Sequence, residues 1–204
     1  SKFHNLFRVF LLLANVNNVF FVVYLYNVHR LLMYFTNWTL LVTVAYFIVA
    51  IRASQPGQQS YSILALHHIL FEVSFIMNIV MVTVYWSLLH NDALLEAAGN
   101  TGKIINCYWV HLMPGFSIMA NFAMTDVVLR SSHVKALPVV AILYGVNCYY
   151  ETKKLGRPLY SFMTFEDSST YWIYGGMIAG FSLVYLGLSQ VSVTMKRSQV
   201  KRSD

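Results

Sequence analysis

Met33-Tyr34-Phe35-Thr36-Asn37-Trp38-Thr39-Leu40 opens an apolar run that continues to Ile51, with Arg30 just before it and Arg52 just after. An apolar stretch of about 20 residues bracketed by basic residues is the pattern of a helix crossing a bilayer. About a turn and a half inside one end sits a polar pair, Thr36-Asn37. Polar groups in hydrocarbon are costly unless paired, so such a pair has two readings. In the structural one, Thr36 returns its hydroxyl to a carbonyl of the preceding turn and Asn37 ties two helices together. In the functional one, Thr36 is a reacting group.

The rest of the chain resembles this stretch. Of 204 residues, 57% are hydrophobic, 16% aromatic and only 11% charged, against about 25% charged in a soluble domain. The composition is that of an all-α, polytopic transmembrane bundle forming a single domain over residues 1–204. The net charge of +6 is not a nucleic-acid signal, because most basic residues fall near span ends or in the tail. Cys107 and Cys148 lie inside apolar runs with no ligand at metal spacing, which argues against both a disulfide framework and a metal site.

Six spans can be read from the apolar runs, at about 6–28, 31–51, 61–89, 104–125, 136–150 and 171–194. The first lacks a small-residue cleavage site and reads as a retained helix. Its Asn15, Asn17 and Asn18 suggest that it faces other helices. His29-Arg30 is so short a link that the first two helices should be antiparallel neighbours. Pro56-Gly57 marks a polar turn. The loop from His90 to Lys103 has room for a short helix over 93–98. Pro114 should kink the fourth span and free a carbonyl near Val110-His111. Residues 151–170 form the longest connector, and 196–204 a basic tail. Gly176-x-x-x-Gly180 beside Gly175 suggests close helix packing in the sixth span.

Six spans put both termini on one side. That side carries Lys2, Arg8, Arg52, Arg130, Lys135, Lys196, Arg197, Lys201 and Arg202; the other carries Arg30, Lys103, Lys153, Lys154 and Arg157. The excess places the termini on the cytoplasmic side of an endomembrane or the plasma membrane, or on the equivalent side of the mitochondrial inner membrane.

In this topology Thr36 and His111 lie at similar depth, roughly 9–11 Å below the starts of the second and fourth helices at 1.5 Å per residue. A hydroxyl and an imidazole at one depth in a dry site are the minimum for nucleophilic acyl transfer. Asn37 or freed backbone N–H groups are candidate oxyanion donors. Trp38, Trp86, His90 and Tyr160 return to the same side and are candidate lining for a lipid pocket.

His67, His68 and Glu72 make a second polar cluster, with His68 and Glu72 on one face at i, i+4. Glu72 falls near mid-membrane and should be protonated or paired with His68 or a first-helix asparagine. One histidine pair and one glutamate are too few for a di-iron site. His68 and His111 lie at different depths, which does not suit a bis-histidine haem. No cofactor is expected.

Tyr34-Phe35-Thr36-x-Trp38, the segment from Val80 to His90 with Tyr85-Trp86, and Trp109-Val110-His111 followed by Pro114 resemble the motifs of the androgen-induced-gene-1-like six-span membrane proteins and the related rolling stone proteins. Gly156-x-x-x-Tyr160-x-Phe162 is a further echo, with Ser161 where that family often has proline. Asn37 stands where the family often has an aromatic residue, and Leu112-Met113 where small hydroxyl residues are common. The resemblance implies a threonine hydrolase acting on fatty acid esters of hydroxy fatty acids, with Thr36 as nucleophile and His111 as base. The alternative expectation is a non-catalytic accessory subunit of a larger membrane complex, whose apolar faces are covered by lipids and protein neighbours. A transporter would show an internal repeat and broken helices; of these only the Pro114 kink is foreseen.

Overall fold

A computed structural model describes the backbone of residues 2–203 and the side chains of residues 2–195. The side chains of Lys196, Arg197, Lys201 and Arg202 lie outside the described residues. The described residues form eight α-helices: α1 (Lys2–Tyr26), α2 (Arg30–Met33), α3 (Phe35–Ala53), α4 (Tyr61–Val84), α5 (His90–Ala97), α6 (Thr101–Ala123), α7 (Ala136–Leu155) and α8 (Ser169–Ser203). Four stretches are long and apolar enough to cross a membrane: Lys2–Tyr26, Phe35–Ala53, Tyr61–Ala97 and Ser169–Met195. The other two expected spans are helical, at 23 and 20 residues, but more polar. α6 carries Asn106, His111, Ser117 and Asn121, and α7 runs past Tyr150 through Glu151, Lys153 and Lys154.

The chain divides into two compact units, Ser1–Thr125 and Asp126–Asp204. In the first, α3 packs on α1 and α4, and α6 packs on all three. Its interior mixes large apolar side chains (Leu11, Leu40, Phe47, Phe71) with polar ones (Asn15, Asn18, Thr43, Ser74, Asn78, Asn121), all buried. Its outer faces carry Leu13, Phe20, Ile48, Leu66 and Phe116, all exposed. Polar residues gathered in the interior, with large apolar residues left on the outer faces, is a distribution that suits lipid. The interior polar groups pair across helices. Asn15 Nδ2 donates to Ser117 Oγ at 2.9 Å, Thr43 Oγ1 meets Ser74 Oγ at 2.8 Å, and Asn78 Nδ2 donates to Thr43 Oγ1 at 3.0 Å. Of the three first-helix asparagines, Asn15 and Asn18 are buried and Asn17 is exposed. A helix 25 residues long turns only part of its surface inward.

Ends are set by local chemistry. Ser60 caps α4 through the Ile63 N–H, and Asn100 caps α6 through the Lys103 N–H. Gly156 closes α7 at φ +65°, a conformation that costs glycine little. α6 continues through Pro114, whose ring leaves the Val110 carbonyl without its helical donor. The short helix of the loop begins at His90 and ends at Ala97.

In the second unit, Leu129 N–H donates to Ser192 Oγ at 3.0 Å and Tyr185 OH to the Arg130 carbonyl at 2.9 Å. α7 meets α8 where Gly145 faces the Tyr174 ring; a Cβ there would stand 2.9 Å from Tyr174 Cε1. This is not the close approach expected at Gly176 and Gly180. A Cβ added at either meets nothing within 4 Å among the described residues, so no described residue of their own unit packs on those glycines.

Asp167 precedes α8 and accepts hydrogen bonds from the Ser169 hydroxyl and from the Ser169 N–H. These bonds hold its exposed carboxyl below the usual carboxylate range. A carboxylate with a depressed native pKa contributes stability above its unfolded value and loses it as pH falls through the native one. Protection of the amides at residues 169–172, taken relative to their intrinsic exchange rate at the same pH, should therefore fall on acidification below the usual carboxylate range. In Asp167→Asn that protection should show no such acid dependence.

Candidate active site

The site starts with a break in the second span. Tyr34 is extended (φ −102°, ψ 140°), separating α2 from α3. In an unbroken helix the Arg30 and Leu32 carbonyls would accept from the N–H groups of Tyr34 and Thr36. Here Asn37 Nδ2 donates to the Arg30 carbonyl at 2.6 Å, and Trp38 Nε1 donates to the Leu32 carbonyl at 2.8 Å. Two side chains of the new helix thus satisfy carbonyls of the old one. Asn37 and Trp38 turn their own N–H groups to the Tyr34 carbonyl, at 3.0 and 3.3 Å. Thr36 becomes the second residue of α3. Its N–H donates to no group among the described residues, at the helix end where the backbone carries partial positive charge. Arg30 lies over the rings of Tyr26 and Tyr34, at 4.7 and 5.1 Å from their centroids.

α6 brings His111 to this helix start. Thr36 Oγ1 lies 3.1 Å from His111 Nε2, and His111 Nδ1 lies 2.6 Å from the Cys107 carbonyl oxygen. A carbonyl oxygen only accepts, so Nδ1 carries the ring proton. Nε2 then presents its lone pair, and the Thr36 hydroxyl donates to it. The threonine is bonded to a base, and the base is held by a second acceptor. This is the order of groups that activates an alcohol for attack.

Tyr85 fixes the plane of the imidazole. The two rings stack with centroids 3.3 Å apart and planes 6° from parallel. Tyr85 is buried and meets His90 Nδ1 through its hydroxyl at 3.1 Å. It begins a π-helical turn, Tyr85–Leu89, that joins α4 to α5. A π turn inserts one residue relative to the α register and rotates the residues after it, and such turns recur at functional sites. Trp86 packs at a tilt on His90 with centroids 4.3 Å apart, and Tyr108 contacts both rings.

The structure thus brings together Thr36, Asn37, Trp38, Trp86, His90 and His111. Asn37 does its work on the Arg30 carbonyl, which leaves the Thr36 N–H as the donor beside the hydroxyl. Tyr160 belongs to the second unit, where its hydroxyl meets that of Tyr144 at 2.8 Å. His68 and Glu72 pair at 3.1 Å on α4, as their spacing predicts. Sequence reasoning missed the break at Tyr34, the Tyr85 stack and the Cys107 carbonyl. No glycine or proline announces the break; Asn37 and Trp38 reach back seven and six residues to close it.

No family model matches the chain, no curated protein matches it, and no solved structure matches it.

Proposed function

We propose that the chain is a six-span membrane hydrolase of lipid esters, a divergent relative of the androgen-induced-gene-1-like and rolling stone proteins, with its termini on the cytoplasmic side. One observation carries this reading: the Thr36 hydroxyl, His111 and the Cys107 carbonyl stand in line at 3.1 and 2.6 Å. Thr36 Oγ attacks the ester carbonyl carbon while its proton passes to His111 Nε2. The imidazolium keeps its Nδ1–H on the Cys107 carbonyl and lies against the Tyr85 ring, whose π face favours a cation. The oxyanion develops beside the Thr36 N–H at the start of α3. The intermediate collapses, the ester C–O bond breaks, and Nε2–H protonates the departing alkoxide. Water then attacks the acyl-threonine, gives its proton to Nε2, and releases the fatty acid with Thr36 restored. A fatty-acyl ester whose chains lie in the surrounding lipid is the substrate class this supports.

The test is labelling with a long-chain fluorophosphonate, in which Thr36 Oγ would attack phosphorus and displace fluoride. Wild type should take the label; Thr36→Ala and His111→Ala should not. A folded, lipid-bound wild type that takes no label would overturn the hydrolase reading in favour of a non-catalytic bundle, in which Thr36–His111 is a helix tie.

On this reading Tyr85 is a positioning residue. Tyr85→Phe keeps the ring on His111 and loses the hydroxyl's bonds to His90 and to the Cys107 thiol, so its turnover should stay near wild type. Tyr85→Leu removes the stack and should lower kcat by up to about a hundredfold with KM unchanged, the size of effect that about 1 Å of misplacement produces.

A further inference from the structure

At the end of the first unit remote from Thr36, about 27 Å along α3, helices converge on Arg8. Its Nε donates to Asn121 Oδ1 at 2.9 Å. Its Nη1 donates to Ser54 Oγ at 2.6 Å and to the Ala50 carbonyl at 3.4 Å. Asn121 Nδ2 donates in turn to Tyr46 OH at 2.6 Å, and the Tyr46 ring packs on His67 at 5.5 Å. Every acceptor of the guanidinium is neutral. Among the described residues no carboxylate stands within ion-pair distance of Arg8 and nothing accepts from Nη2. Glu72 on α4 is paired with His68.

A guanidinium about 9 Å inside a membrane helix without an anion is costly. The carbonyls of the last turn of α3 offset part of that charge, because a helix C-terminus carries about half a negative charge. The remainder is uncompensated. His67 Nε2 is buried and bonds to nothing among the described residues. Lys2 and Arg52, both exposed or partly so, lie at the same ends of α1 and α3. On the outer face of α1, roughly 130° around the helix from Arg8, the rings of Phe3, Phe7 and Phe10 stack in a row at 6.5 Å spacings, with Phe3 and Phe10 exposed.

We propose that this corner binds the phosphate of an acidic membrane lipid. Nη2, the nitrogen left without an acceptor, donates to a phosphate oxygen in a charge-assisted bond. Basic pockets between helix ends are where acidic headgroups are held. Free phosphate shares the headgroup's charge but would have to leave water to reach a guanidinium about 9 Å along the span, and this separates the two sources. The site does not depend on Thr36 chemistry.

The test uses the full chain in nanodiscs of phosphatidylcholine with and without phosphatidylglycerol, with retained lipid counted by native mass spectrometry. Wild type should retain phosphatidylglycerol in preference. Arg8→Gln should lower that retention by about fivefold, the size of one basic residue at an anionic surface, and Lys103→Gln, an equal change of charge at the opposite end of α6, should leave it unchanged. Equal retention in Arg8→Gln and wild type, or an equal loss in Lys103→Gln, would overturn the site. If Arg8→Gln does not fold, Arg8→Lys keeps the charge and loses Nη2; retention should fall, and wild-type retention would overturn the proposal. Inorganic phosphate added to phosphatidylcholine discs should not raise the unfolding temperature. A rise as large as that given by phosphatidylglycerol would overturn the assignment to a lipid.

Discussion

On the proposed hydrolase reading, Thr36→Ala should lower turnover of a long-chain ester by about a thousandfold or more, to the rate left by binding and polarisation alone, while Thr36→Ser should retain a large share of it. His111→Ala should lower it by about 10²–10⁴-fold, the range of a lost general base. The decisive point is that neither variant should unfold. A hydrogen bond between membrane helices contributes on average about 0.6 kcal/mol and at most about 1.7. Losing Thr36–His111 therefore leaves the bundle standing, and the two arms are separable by measuring ester hydrolysis and thermal unfolding on the same preparations. Serine restores the hydroxyl at 3.1 Å from Nε2 and drops only a methyl group. Rescue by serine ties the loss to the oxygen, and its failure would mean that the threonine acts by packing.

Gly145→Ala destabilises the second unit by about 1–3 kcal/mol, the usual cost of overpacking. Glycine to alanine inside a helix ordinarily stabilises by about 0.5–1 kcal/mol, so the clash must outweigh that gain. It does so because the new Cβ would stand 2.9 Å from Tyr174 Cε1, and the ring cannot swing away freely. Tyr174 OH donates to the Ala141 carbonyl at 2.6 Å, a bond worth about 1 kcal/mol. Tyr174→Phe in the Gly145→Ala background releases the tether and should recover part of the loss. Gly176→Ala and Gly180→Ala meet nothing and should be neutral or stabilising. Unfolding in detergent, followed by intrinsic fluorescence, orders the four variants.

The contrast between those glycines marks where sequence stops being informative. Gly176-x-x-x-Gly180 has the spacing of a packing motif, yet spacing says only that a helix has a smooth face. Which helix, if any, lies against it depends on the whole assembly. His68 and Glu72 are different: four residues apart on one helix, they meet through the helix's own geometry. The helices were legible for a similar local reason. Lipid demands long apolar runs with satisfied backbones, and that demand is written residue by residue, as are the caps at Ser60 and Asn100 and the turn at Gly57.

The order of residues alone is enough to specify an all-helical chain with membrane-length apolar segments. It also puts Thr36 and His111 at one depth, because rise per residue and antiparallel succession fix depth without knowledge of rotation. That their side chains face each other is a matter of packing, since helical phase depends on which neighbours each helix meets. The break at Tyr34 is of the same kind. There the backbone bonds given up by the helix are replaced by Asn37 and Trp38 reaching the Arg30 and Leu32 carbonyls. The exchange is nearly even in hydrogen bonds, so no local propensity could have announced it, and it leaves the Thr36 N–H and hydroxyl side by side at a helix start.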